Sequence, residues 1–128
     1  MNEIVAEWAE KAESDYRVAE HEVRVRRAPS YDMVCFHKQQ CAENHLKALL
    51  SQRQIPFRPI HDLEILPGLA IPASPDLEVI RARLLLLNDH AVDVRYPGES
   101  AIRDEARAAV QAVRAGRSLI RPKLGLIS

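Results

Sequence analysis

The chain has 128 residues, 47% of them hydrophobic and 28% charged, and its 18 Lys and Arg are balanced by 18 Asp and Glu. That is enough chain for one domain with its own core, and the composition is ordinary for a globular protein. The zero formal net charge excludes a nucleic-acid binder that works through a strongly basic overall field and leaves only a local patch for such contact.

Ile4, Trp8, Ala12, Tyr16, Ala19 and Val23 recur at three- and four-residue steps, a spacing that predicts a helix over about 2–27, closed by "RRAPS". A second helix is expected over about 31–53, with Ser30 as N-cap, Asp32 in the first turn, and a stripe of Val34, Cys35, Cys41, Ala42, His45, Leu46 and Leu49. "QIPFRPI" reads as loop, "HDLEIL" from His61 as one or two helical turns, and "PGLAIPAS" as loop again. Ser74 as N-cap and Pro75 at the first helical position open a third long helix that runs to "RYPGES". Ile102, Ala106, Ala109, Val110 and Val113 give the face of a fourth, over about 100–119. "RPKLGLIS" is expected to fray. No segment alternates with period two. The fold class is therefore all-α, an up-and-down antiparallel helical bundle of four long helices plus a short one, with a single domain over 1–121 and a tail over 122–128.

Cys35 and Cys41 lie six apart on one helix, a spacing that resists an intra-helix disulfide, and read as free thiols in a reducing cytoplasm. The acidic start "MNEIVAEWAEKAESDY" lacks the pattern of a signal peptide, and "LLLL" at 84–87 is far too short to span a membrane. His37, Cys41 and His45 stand at four-residue steps and suggest a metal. However, i to i+8 covers about 12 Å of helix rise, too far for one ion, so neither a metal nor another cofactor is expected. Glu43 and Lys47, four apart in the favourable order, read either as a surface pair or as part of a polar pocket between the first two helices.

Four blocks carry a family resemblance. Helix one has Trp8, Ala12, Asp15, Tyr16 and Ala19. Helix two has Phe36, His37, Gln39, Gln40, Glu43, Leu46, Lys47 and Leu49. "HDL" and "RYP" follow from His61 and Arg95. Together they resemble the HEPN domain, the higher eukaryote and prokaryote nucleotide-binding domain, over nearly the whole chain. The resemblance implies a homodimeric helical bundle that binds nucleotide or RNA, often as the partner of a minimal nucleotidyltransferase in a toxin–antitoxin-like pair. On that resemblance Gln39, Gln40, Glu43, Lys47, His61, Arg95 and Tyr96 would bind nucleotide. Some members are metal-independent ribonuclease toxins with Arg-x4–6-His. Arg83 and His90 fit that spacing and would be the catalytic pair, the Arg stabilising phosphate charge and the His moving a proton. The match departs at Leu84, where the family tends to be polar, and at Val92, where it tends to have Tyr. A purely structural dimerisation module is the third reading.

Overall fold

A computed structural model describes residues 2–88 and 103–126. Helix α1, Glu3–Val23, opens at Asn2, whose side chain accepts a hydrogen bond from Val5 N at 2.9 Å, with Glu3 in the first turn. Helix α2, Tyr31–Gln52, opens at Ser30, whose hydroxyl accepts from Met33 N at 3.3 Å. The turn between them is tight: Ala28 takes a left-handed backbone, φ 48°, and Glu22 accepts from Ser30 N at 3.2 Å. The α1–α2 hairpin is the most extensive packing in the molecule, and α5, Arg103–Lys123, covers α2 from another side.

That double cover changes the reading of α2. In place of an apolar stripe, every residue from Cys41 to Leu50 is buried, around the whole circumference of the helix. Glu43 and Lys47 are 0% and 3% exposed, so the surface-pair expectation is wrong. Leu46, Leu49 and Leu50 meet Leu63, Leu66, Leu77, Leu84, Leu87 and Ile120 in the core, while Ala9, Ala12 and Ala19 of α1 and Ala106, Ala109 and Ala112 of α5 are buried as small contact positions.

Four boundaries differ from expectation. Helix α1 ends at Val23 and not near residue 27. The short helix, α3, is Ile65–Ala70 and not residues 61–66. Asp62 accepts from Glu64 N (2.8 Å) and Ile65 N (3.3 Å), which starts the helix one turn later, and Pro67 is tolerated because first-turn N–H groups have no helical partner. The third segment begins as a 3₁₀ turn, Pro75–Ile80, before α4, Arg81–Asn88. Ser74 makes no capping bond, and its buried hydroxyl has no partner among the described residues. Finally, α5 continues through Pro122 to Lys123. It ends at Gly125 in the left-handed region (φ 81°), with Leu126 N bonded to Arg121 O at 2.9 Å. Leu124 is 3% exposed and Leu126 packs on the core, so residues 122–126 are ordered where fraying was expected. No strand occurs among the described residues, and the architecture is the expected all-α bundle.

Candidate functional site

Packing α1 and α5 around α2 leaves polar side chains inside, and they sort into two groups. The first is an ionic layer. Lys38, with no exposed side-chain surface, donates to Glu20 of α1, which also receives both Arg114 Nε (3.2 Å) and Nη2 (2.7 Å) from α5. Arg117 grips Glu13 in the same forked way, at 3.1 and 2.6 Å, and Arg121 adds a contact at 3.3 Å. The Tyr16 ring carries the Lys38 ammonium at 4.1 Å and the Arg117 guanidinium at 4.4 Å from its centroid. Burial alone would raise the Glu20 pKa, but the hydrogen bonds from Arg114 and Lys38 outweigh it and hold the carboxyl down at about 2. Glu13 is lowered in the same way by Arg117. This layer ties three helices together.

The second group faces a pocket of about 470 Å³, walled by Trp8 and Lys11 of α1, Gln40, Asn44 and Lys47 of α2, and Phe57, Pro59 and His61 of the connection to α3. Trp8 and Phe57 meet edge to face, centroids 6.2 Å apart. Above the Trp8 ring lie the ammonium groups of Lys47 at 5.2 Å and Lys11 at 5.6 Å. Burial pulls the Lys47 pKa down, with the negative charge of Glu43 opposing. No carboxylate of the described residues lies within ion-pair distance of Lys47. Behind this wall, Glu43 holds the exposed His61 at 2.8 Å and receives Gln39 Nε2 at 3.4 Å. Burial pushes the Glu43 carboxyl up, against the pull of His61. Asp15 locks the neighbouring positions, taking His37 Nδ1 at 2.8 Å and Asn44 Nδ2 at 3.2 Å.

Of the candidate residues, Gln39, Gln40, Glu43, Lys47 and His61 therefore converge on one place, with Gln40, Lys47 and His61 at the pocket wall and Gln39 and Glu43 supporting it. Arg83 stands elsewhere, exposed in a small apolar groove between α4 and α5 with Leu86, Leu87, Ala109 and Ala112. His90, Arg95 and Tyr96 lie outside the described residues. The pocket residues missed in the sequence are Lys11, Asn44, Phe57 and Pro59, along with the role of Trp8. The i, i+3 pair Trp8 and Lys11, repeated as Asn44 and Lys47 on the facing helix, was the signal. The metal-like trio of α2 is split. His37 pairs with Asp15, and Cys41 Sγ lies 3.5 Å from His45 Nδ1. Burial holds His45 neutral with a pKa of about 4 and drives the Cys41 thiol up. No group of three His, Cys, Asp or Glu among the described residues could hold a metal ion.

A helical bundle with an ionic seam and a cationic, aromatic pocket on its α1–α2 hairpin is the class of protein defined by this fold and site. Comparison places it further: the HEPN domain family matches residues 5–121, and the chain belongs to that family. The crystal structure of an archaeal HEPN homologue is similar in fold, with a TM-score of 0.73 at 23% identity over 94% of this chain and 97% of that one. No curated protein matches the chain. At the level of the family, membership supports a nucleotide- or RNA-related function. No helix among the described residues is long and apolar enough to cross a membrane.

Proposed function

We propose that the pocket on the α1–α2 hairpin binds a nucleotide, its base against Trp8 and Phe57 and its phosphate on Lys47 and Lys11. The observation that carries this reading is Lys47, an ammonium 3% exposed, without a carboxylate within ion-pair distance among the described residues, beside an aromatic face. Glu43 acts on Lys47 from beyond ion-pair distance, an anion in the pocket would add a direct partner, and the aromatic surface adds stacking of about 1–3 kcal/mol per base. His61, exposed at the rim and backed by Glu43, is a second donor to phosphate. Trp8 is the only tryptophan, so the pocket reports on itself. Adenosine 5′-triphosphate should quench Trp8 emission saturably, and Lys47→Met should weaken binding roughly tenfold or more, the scale of one lost contact to a charged group. Emission that does not respond to nucleotide, with the protein folded, sinks the proposal.

The finer part of the reading is a cytoplasmic homodimer that partners a minimal nucleotidyltransferase in a toxin–antitoxin-like pair. Family membership supports it, and co-purification with the product of an adjacent reading frame tests it. The second reading, metal-independent RNA cleavage by Arg83 and His90, draws support from the exposure of Arg83 at its groove. It requires cleavage in the presence of chelator that is lost in both Arg83→Ala and His90→Ala.

A further inference from the structure

Helix α5 carries two kinds of arginine. Arg114 and Arg117 end in two-point grips on Glu20 and Glu13. Arg103 and Arg107, one turn apart at the start of the same helix, do not pair with any carboxylate of the described residues. With Arg26 from the α1–α2 turn and Tyr31 from the first position of α2, they line a separate pocket of about 350 Å³. Val23, Val25 and Pro29 are the other described residues of its wall, so every charged side chain described there is a guanidinium. Glu22, in the same turn, is already engaged by Ser30 N at 3.2 Å. Arg26 stands on the turn in which Ala28 takes a left-handed backbone and Pro29 follows.

Three positive forks around one cavity repel one another. An oxyanion placed among them turns that repulsion into charge-assisted hydrogen bonds, and planar guanidinium matches phosphate two points at a time. We propose that Arg26, Arg103 and Arg107, with the Tyr31 hydroxyl, form a phosphate-binding site distinct from the Trp8 pocket. Tyr31 and Asn44 are separated by about 20 Å of rise along α2, so one mononucleotide cannot occupy both places. The phosphate can belong to the backbone of an RNA strand or to its terminal monoester.

The test is fluorescence anisotropy of a labelled 12-nucleotide single-stranded RNA across a potassium chloride series, prepared with a 5′-phosphate or a 5′-hydroxyl. The triple variant Arg26→Ala, Arg103→Ala, Arg107→Ala removes three exposed side chains, and circular dichroism should show an unchanged fold. Its binding should be roughly tenfold or more weaker, and the slope of log K against log salt should be shallower by roughly 0.7, the contribution of one neutralised phosphate. The control, Arg17→Ala with Arg53→Ala, also exposed, should bind like wild type. Loss with both RNA forms assigns the site to the backbone, and loss with the 5′-phosphorylated form alone assigns it to the terminal monoester. Equal affinity and slope in the triple variant and wild type overturn the proposal, as does an equal loss in the control. The Trp8 titration with adenosine 5′-triphosphate should be unchanged in the triple variant. If that titration fails in wild type while the arginine effect stands, the nucleotide pocket is wrong and this site is not.

Discussion

Glu20 should be the most expensive acidic side chain to remove. It is the common acceptor for Lys38, whose side chain is 0% exposed, and for both donor atoms of Arg114. Glu20→Gln leaves the Lys38 ammonium buried with no anion, a change that costs about 3–5 kcal/mol. The pKa supplies a second route to the magnitude. A carboxyl lowered from 4.5 to about 2 contributes roughly 3 kcal/mol at about 1.4 kcal/mol per unit. The sign follows from the depression of an acid. The contribution is complete above the unfolded value of 4.5 and is lost as pH falls through the folded value of about 2. Denaturant unfolding at pH 7 should therefore show Glu20→Gln about 3 kcal/mol less stable than wild type, and the gap should close between pH 5 and 2. Lys38→Met should stay within about 1.5 kcal/mol of wild type, because Glu20 keeps Arg114 and a buried charge is replaced by an apolar chain of similar size. If the Glu20→Gln gap is under 1 kcal/mol, or is the same at pH 7 and pH 2.5, the ionic seam does not hold the helices as argued.

Two further changes test other parts of the structure. Gly116 sits in the middle of α5, where an added Cβ would meet Ile80 Cδ1 at 3.5 Å and Leu84 Cδ2 at 3.8 Å, both ordinary contacts. Gly116→Ala should thus raise stability by about 0.5–1 kcal/mol in thermal or denaturant unfolding, and a loss would show that α5 packs more tightly than these distances indicate. Glu43 has the opposite sign to Glu20. Burial raises its pKa, so the folded state holds its proton more tightly than the unfolded chain, and stability falls as pH rises from 4.5 through the folded value. Glu43→Gln should remove that decline, and a stability–pH curve across pH 4–8 that keeps its slope would contradict the assignment.

The helical hairpin was legible because its signals are local. Ser30 caps α2 as its position before the helix predicted, and the three- and four-residue spacing correctly marked α1 as a helix, but its buried face is turned: Ala12 and Ala19 are buried as expected, Trp8, Tyr16 and Val23 are half-buried, and Val5 and Ala9 go inside where Ile4, 62% exposed, was expected. The interior polar groups were not legible, because their partners are distant in sequence. Lys38 meets Glu20 18 residues back, and Glu20 meets Arg114 94 residues on. A single-helix pattern makes Lys38 and Lys47 solvent-facing, and only the cover supplied by α1, α5 and the 53–61 connection puts them inside. For the same reason Gln39, Gln40, Glu43, Lys47 and His61 could be named as a set while their geometry could not. The boundary errors have a different origin. Asp62, not His61, supplies the turn-starting acceptor, and Gly125, three residues past Pro122, sets where α5 stops.

The formal charge of +0 describes a sum and conceals its distribution. Glu13 and Glu20 draw Arg114, Arg117, Arg121 and Lys38 into the seam, where each positive charge has an acceptor. That neutralisation consumes acidic groups at the centre of the α1–α2 hairpin. Elsewhere among the described residues, clusters of cations line open space: Lys11 and Lys47 beside Trp8, and Arg26, Arg103 and Arg107 beside Tyr31. A protein binding anions through its overall field would bind any polyanion and lose it steeply with salt. Small cationic pockets on a chain of zero formal charge act through short-range contacts, so the selectivity that the proposed sites would have lies in the shape of each pocket. In the proposed reading Trp8 and Phe57 offer the first pocket's base a flat face beside the lysines, whereas the polar groups described in the second, guanidinium forks and one hydroxyl beside Val23, Val25 and Pro29, suit phosphate.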